Sequence, residues 1–223
     1  MAKPNRIGKG FNALAPIYDS IVKLIFGNSI NSLQTQILKG FDSKDSCLII
    51  GGGSGKILAQ AIEANLAKNY FYAELSSAMI EKTKAKTFPE TIDISYSDNW
   101  KDWGGNSFDY VILPFVLDCY TEIEISTWLQ ELKDSLMLNA RIIFIDFNNE
   151  PAFAYQPSLW KSTFIKMLYV FFGLTTAIKA KYLAPFNKLF ERQNFQTEKR
   201  KHIYNGWVQA VVWKMDDNTQ PKE

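Results

Sequence analysis

Cys47-Leu48-Ile49-Ile50-Gly51-Gly52-Gly53-Ser54-Gly55-Lys56 decides how this chain is read. Four apolar residues run into three glycines, a serine and a fourth glycine, and an amphipathic pattern begins directly after. That order describes a buried strand entering a tight turn at a helix N-terminus. Glycine lets the backbone turn sharply and lets a ligand approach with no Cβ between. The first helical turn leaves N–H groups without intrahelical partners, and these attract electron-rich atoms. Such a loop binds something nucleotide-like.

Spacing separates the candidate loops. A phosphate-binding Walker A loop needs Gly, four residues, then Gly-Lys-Ser/Thr. Counting back from Gly55-Lys56 puts Ile50 where the first glycine belongs, and Ile57 replaces the hydroxyl that would hold magnesium. A dinucleotide fingerprint needs G-x-G-x-x-G, and here Lys56 stands in the third glycine's place. What remains is G-x-G-x-G over Gly51, Gly53 and Gly55, with Gly52 between.

Residues 69–73, Asn-Tyr-Phe-Tyr-Ala, read as the next strand and end at Glu74. A carboxylate at the tip of the second strand of a βαβ unit, roughly 20 residues beyond the glycines, accepts hydrogen bonds from ribose hydroxyls.

With these two elements in sequence, nearly the whole chain resembles the class I S-adenosylmethionine-dependent methyltransferases. The glycine loop matches that family's first motif. Glu74-Leu75-Ser76-Ser77-Ala78-Met79-Ile80-Glu81-Lys82 matches its acidic strand-to-helix motif, and Ser97-Asp98-Asn99-Trp100 falls where the family sets an acid near the adenine amine. Residues 108–114, ending at Pro114, look like the fourth strand and residues 140–147 like the fifth. Phe11-Asn12-Ala13-Leu14-Ala15-Pro16-Ile17-Tyr18-Asp19 resembles the first helix of the ubiquinone/menaquinone C-methyltransferase branch, where a Tyr-Asp pair lies close to the cofactor. The resemblance implies S-adenosylmethionine as cofactor. It implies contacts from Tyr18, Gly51, Gly52, Gly53, Gly55, Glu74, Leu75, Met79, Asp98, Asn99, Trp100 and Pro114.

Two positions depart from the family. Where it has an acid two residues before the first glycine, this chain has Ile49, so the cofactor's ammonium must find other acceptors or the site binds weakly. Where it commonly has Pro-Gly-Gly before the fifth strand, Leu138-Asn139-Ala140 fills the turn.

Composition fits an enzyme-sized globular domain. The chain has 223 residues, 47% apolar and 22% charged, enough for one domain with a full core. We expect residues 1–223 to form a single methyltransferase domain, with N-terminal helices in 1–41 and an apolar, lid-like insertion in 151–181. A net charge of +2 is too small to draw nucleic acid by a general field. The basic cluster Lys199-Arg200-Lys201-His202 reads as a solvated strand end. Two cysteines suggest reduced thiols and a cytoplasmic setting, and no apolar run that would make a signal peptide follows the first charged residues.

Periodicity supplies the layout. Leu14, Ile17, Ile21, Leu24 and Ile25 share one helical face, with Pro16 in its first turn; Ile30, Leu33, Ile37 and Leu38 share another. A helix follows the glycine loop, and a further one from about residue 76 to 86 stops before Pro89. Strands are expected near 92–96 and 110–113. Thr121 and Glu124 form a capping-box pattern, opening a helix with Ile125, Leu129, Leu132 and Leu136 inward. Residues 182–193 read as a helix. The strands near 197–203 and 207–214 are joined by Asn205-Gly206, a hairpin signal. The fold expected is therefore α/β: a doubly wound, mostly parallel seven-stranded sheet with a C-terminal antiparallel hairpin and helices on both faces.

Residues 160–174 are strongly apolar and aromatic, with Lys161 and Lys166 the only charges. The stretch is too short and interrupted for a membrane span, which needs ~20 apolar residues. It reads as a lid over an apolar or aromatic small substrate, a surface touching a membrane, or a helix packed in the core or a homodimer interface. Asp118, after the fourth strand, is better placed for chemistry than His202, the only histidine, on a late strand. It could equally cap the following helix, so no catalytic residue is assigned and no metal site is read. Two other readings stay open: a non-catalytic methyltransferase-like binding domain, which Ile49 leaves in play, and a nicotinamide-dependent oxidoreductase, which the missing glycine disfavours.

Overall fold

The computed structural model of the protein describes residues 26–103, 105–148 and 182–215, together with residues 12, 15, 16, 20 and 23. At its centre lies β1 (Lys44–Ile50), paired in parallel with β2 (Ala67–Ala73) on one side and β4 (Phe108–Pro114) on the other. A parallel strand covered on both faces must be apolar on both. That is why Cys47, Leu48 and Ile49 are all fully buried although successive side chains point to opposite faces.

The sheet runs β3-β2-β1-β4-β5-β7-β6, with β3 Asp93–Ser97, β5 Leu136–Phe147, β6 Phe195–Ile203 and β7 Val208–Met215. Strands β1 to β5 are parallel, and β7 is antiparallel to both β5 and β6. This is the doubly wound seven-stranded sheet with a terminal hairpin that the sequence predicts. The hairpin turns through Tyr204, Asn205 and Gly206, all at positive φ (53°, 54° and 83°); Asn and Gly adopt that region most readily.

The α-helices whose bounds lie within the described residues are α1 (Ser29–Leu38), α2 (Lys56–Glu63), α3 (Ser77–Lys84), α4 (Glu122–Lys133) and α5 (Phe186–Arg192). α1 packs on α2 and on β6 and β7, whereas α5 packs on α4 and β6. Right-handed crossovers that advance in opposite directions from the sheet centre put α2 and α4 on opposite faces. α1 buries Ile30, Leu33, Ile37 and Leu38, the stripe read from spacing. From the basic cluster, Lys199 Nζ donates to the carbonyls of Ile37 (3.3 Å) and Lys39 (2.8 Å), covering acceptors that α1 leaves open at its C-terminus. Aromatic packing closes the far side of the sheet, where Phe190 stacks on fully buried Trp213 with centroids 4.9 Å apart.

Three boundaries differ from expectation. The Thr121 capping box is present, but α4 ends at Lys133, and Leu136 pairs with Phe108 as the first residue of β5 instead of facing inward from a helix. Leu138-Asn139-Ala140 is not a turn before the strand but an irregular stretch within it. The register jumps from Phe108↔Leu136 to Tyr110↔Arg141, and Asn139 absorbs the distortion at φ 62°. The helix expected over 182–193 begins only at Phe186, because Pro185 restricts the residue before it to extended backbone. The apolar segment 160–174 and all five residues of the first helical face, Leu14, Ile17, Ile21, Leu24 and Ile25, lie outside the described residues.

Candidate functional site

The glycine loop leaves β1 with Gly51 N–H still donating to Ala73 O at 2.8 Å, so the ladder to β2 continues into the turn. Gly55 caps α2 at φ 78°, and a Cβ there would lie 2.6 Å from Thr83 Cγ2. Gly52 is constrained by space alone: its φ is ordinary, but a Cβ would come within 2.4 Å of a Tyr72 ring carbon. The Tyr72 hydroxyl donates to Gly53 O at 2.8 Å, and Thr83 Oγ1 reaches the same carbonyl at 3.3 Å. The loop is thus held from beneath by β2 and α3.

Glu74 ties this support together. Its Oε2 accepts from Gly53 N–H and its Oε1 from Ser76 N–H, both at 2.9 Å. The side chain is buried, and burial raises its pKa against the backbone amides that favour the ionised form. The Gly53 N–H, which the sequence offers to an electron-rich ligand, is therefore already bonded to a carboxylate. Next to it, Ser76 caps α3 by accepting from Met79 N–H at 3.2 Å and donates to Asn12 Oδ1 at 2.7 Å. Asn12 Oδ1 also accepts from Ala78 N–H, and Lys82 Nζ donates to Ala15 O. Asn12 and Ala15 are thereby held against the start of α3 and Lys82, next to Glu74.

A cavity of about 220 Å³ opens above the carboxyl ends of β1, β2 and β4, where the strand order reverses and doubly wound sheets bind ligands. Its floor is Ile50, Gly51, Gly53 and Ala73, and Glu74, Leu75 and Met79 form one wall. Asp98, Asn99 and Trp100 form the rim beyond β3. Asp102 fixes that rim, accepting from Ser97 Oγ and from Asn99 Nδ2 at 3.0 Å. Trp100 meets Trp128 of α4 edge-on at 5.5 Å, and Lys101 over the Trp100 ring pairs with Glu131 at 2.6 Å. The opposite wall comes from the segment after β4: Phe115, Val116, Leu117, Cys119 and Tyr120. Phe115 sits at φ 52°, unusual for a bulky residue, held by its N–H on Ile145 O (2.7 Å) and by the Phe147 ring at 5.4 Å.

Among the described residues the wall carries two carboxylates, Glu74 and exposed Asp98, and no Lys, Arg or His. No group of three or more potential metal ligands occurs among them, and no described helix is long and apolar enough to cross a membrane.

No family model matches the sequence, and no curated protein matches it. Solved structures do. Mitomycin 7-O-methyltransferase MmcR superposes with a TM-score of 0.66 at 15% identity, over 92% of this chain and 60% of that one. DhpI, in its SAH complex, gives 0.66 at 12% identity over 96% and 99% of the two chains. This chain has the class I methyltransferase fold. The cyclopropane synthase MmaA2 from Mycobacterium tuberculosis gives 0.63 at 10% identity, over 84% of each chain. Proteins with such different reactions share the methyltransferase fold, so at these identities the likeness carries the architecture and leaves the acceptor undetermined.

Of the residues the sequence singles out, Gly51, Gly53, Glu74, Leu75, Met79, Asp98, Asn99 and Trp100 meet at the cavity. Gly52 and Gly55 shape the loop from behind, and Pro114 ends β4 one residue short of the wall. Tyr18 lies outside the described residues. Asp118 does not cap α4; Thr121 does, and Asp118 instead accepts from Cys119 Sγ at 3.4 Å. Sequence reasoning left Phe115, Val116, Tyr120 and Trp128 without a site role. The only signal for Trp128 is an aromatic side chain on the flank of the helix face set by Ile125 and Leu129.

Proposed function

We propose that this chain transfers a methyl group from S-adenosylmethionine to a small acceptor. The observation that carries the reading is the charge of the cavity: a glycine loop whose Gly53 N–H is filled by Glu74, in a wall with carboxylates and no described cationic side chain. A dinucleotide's pyrophosphate would meet acids where it needs donors; a cationic sulfonium ligand would not. In this reading Glu74 uses its remaining lone pairs for ribose hydroxyls, Asp98 and Asn99 face the adenine edge beside Trp100 and Leu75, and the glycines follow the methionine end.

When bound, the sulfonium supplies an activated methyl group and departs as a neutral thioether. The chain's own task is positioning and exclusion of water. Phe115, Tyr120 and Trp128 offer apolar and aromatic surface, which supports an apolar or aromatic acceptor, and the segment 151–181 is suited to cover it. Residues 1–223 then act as one methyltransferase unit. Free Cys47 and Cys119 fit a reducing, cytoplasmic compartment.

Calorimetric titration with S-adenosylmethionine, S-adenosylhomocysteine and NAD tests the reading. Both adenosyl ligands should bind and NAD should not. Binding of NAD alone would point to the oxidoreductase, and adenosyl binding without turnover of any acceptor would leave the binding-domain alternative.

A further inference from the structure

α3 begins beside the cavity wall, and part of its N-terminus is satisfied from far away in the chain. Ser76 caps it locally, accepting from Met79 N–H at 3.2 Å. The N–H of Ala78 goes instead to Asn12 Oδ1 at 3.2 Å, 66 residues back. That backbone donor fixes which end of the Asn12 amide faces α3, since only its oxygen accepts. The same oxygen takes the Ser76 hydroxyl proton at 2.7 Å, and Asn12 Nδ2 lies 3.3 Å from Ser77 Oγ. Further along the helix, Lys82 Nζ donates to the carbonyl of buried Ala15.

A helix cap alone does not require this arrangement. Ser76 is fully buried, and its hydroxyl has one hydrogen to give. With Asn12 taking that hydrogen, the lone pairs are left for Met79 N–H and the side chain is fixed. The backbone N–H of Ser76 holds Glu74 Oε1 at 2.9 Å, and Glu74 Oε2 holds Gly53 N–H at 2.9 Å. Asn12, Ser76, Glu74 and Gly53 thus form one run of hydrogen bonds that ends in the cavity floor. Without Asn12 the buried hydroxyl must find another acceptor, and the carboxylate on its own N–H is at hand. A bond there would occupy a Glu74 lone pair beside the cavity.

We propose that Asn12 is a positioning residue of the cofactor site. It acts through Ser76: by taking the hydroxyl proton it keeps the lone pairs of Glu74 for ribose hydroxyls. Docking of Asn12 on α3 and occupation of the cavity therefore strengthen each other. This rests on the S-adenosylmethionine reading above and adds to it a residue that stands behind the cavity wall.

Calorimetric titration of the full chain with S-adenosylhomocysteine separates this role from a cap. N12A removes the acceptor, and binding should weaken about three- to tenfold, the worth of one hydrogen bond. N12D keeps an oxygen for Ser76 and Ala78 and lets the Ser77 hydroxyl donate to the other, so its affinity should stay within about twofold of the wild type. In an E74Q background the N12A loss should shrink below about twofold, because the carboxylate through which Asn12 acts is gone. Unchanged affinity in folded N12A, an N12D as weak as N12A, or an undiminished N12A loss in E74Q would overturn the proposal and leave the methyltransferase reading intact. If E74Q alone binds too weakly to titrate, N12A against N12D decides. Should N12A fail to fold by circular dichroism, hydrogen exchange on the wild-type chain reads the same coupling. S-adenosylhomocysteine should then slow exchange of the Ala78 N–H by about threefold or more, by reciprocity, and unchanged exchange would overturn the proposal. Failure of the wild-type chain to bind either adenosyl ligand would overturn that reading and this role with it.

Discussion

Replacing Gly52 by alanine would drive a methyl group into the ring of Tyr72. The added Cβ would lie 2.4 Å from Tyr72 Cε2 and 2.5 Å from its hydroxyl oxygen, against the ~3.5–4.0 Å of ordinary carbon contact. The ring is fully buried and meets Tyr96 edge-on at 5.8 Å, so it has little room to swing away. Forcing one carbon into such packing costs about 1–3 kcal/mol. Displacing the hydroxyl also loses its bond to Gly53 O, worth about 0.5–1.5 kcal/mol. Together these give about 2–4 kcal/mol, or a fall in Tm of roughly 4–16 °C for a chain of this size. Thermal and urea unfolding of Gly52→Ala would measure it. The steric cause has its own check: in the double variant Gly52→Ala, Tyr72→Leu the smaller side chain makes room, so the loss should be less than the sum of the single losses. A Gly52→Ala variant as stable as the wild type, or strictly additive losses, would refute the reasoning.

Glu74→Gln keeps the shape but puts an amide NH₂ against either Gly53 N–H or Ser76 N–H, so one buried donor loses its acceptor. We expect a loss of about 1–3 kcal/mol in stability and weaker S-adenosylhomocysteine binding; unchanged affinity by calorimetry would remove Glu74 from the ribose site. Asp118→Asn tests the pH dependence. With Asp118 raised from 3.8 to about 7 in the fold, the folded chain holds a proton that the unfolded chain has lost across that window. Wild-type stability should therefore fall as pH rises from about 4 to 7, by at most about 4 kcal/mol from this group. The variant should gain on the wild type over the same range in urea titrations, and parallel pH profiles for the two proteins would contradict the assignment.

What was legible in the sequence is what local physics dictates. Cys47 to Gly55 marks a central strand and its turn because burial on both faces and a backbone without Cβ leave few other readings. Thr121 with Glu124, and Asn205-Gly206, encode their cap and hairpin within a few residues. Leu136 suits a helix and a strand equally well by local pattern, and pairing with Phe108, far away in the chain, decides between them. The site divided the same way. The residues of the loop and strand tip were visible, whereas the wall of Phe115, Tyr120 and Trp128 is assembled by topology from separate elements. Glu74 was legible as an acid at a strand tip. Its bond to the loop's own Gly53 was not, since nothing in spacing says that a protein will occupy its own anion slot.

The place of β7 has a consequence for synthesis. β7 is made after the other six strands of the sheet, yet it lies between β5 and β6 and pairs with β5 along Arg141 to Phe147. Until it emerges from the ribosome, β5 must wait with a row of unpaired backbone groups beside Ile142, Ile143, Phe144 and Ile145, all of them fully buried in the finished fold. An open edge next to such side chains invites pairing with another chain. A nascent chain stalled before residue 208 should therefore bind chaperones and aggregate, even though the glycine loop and its five parallel strands have already been translated.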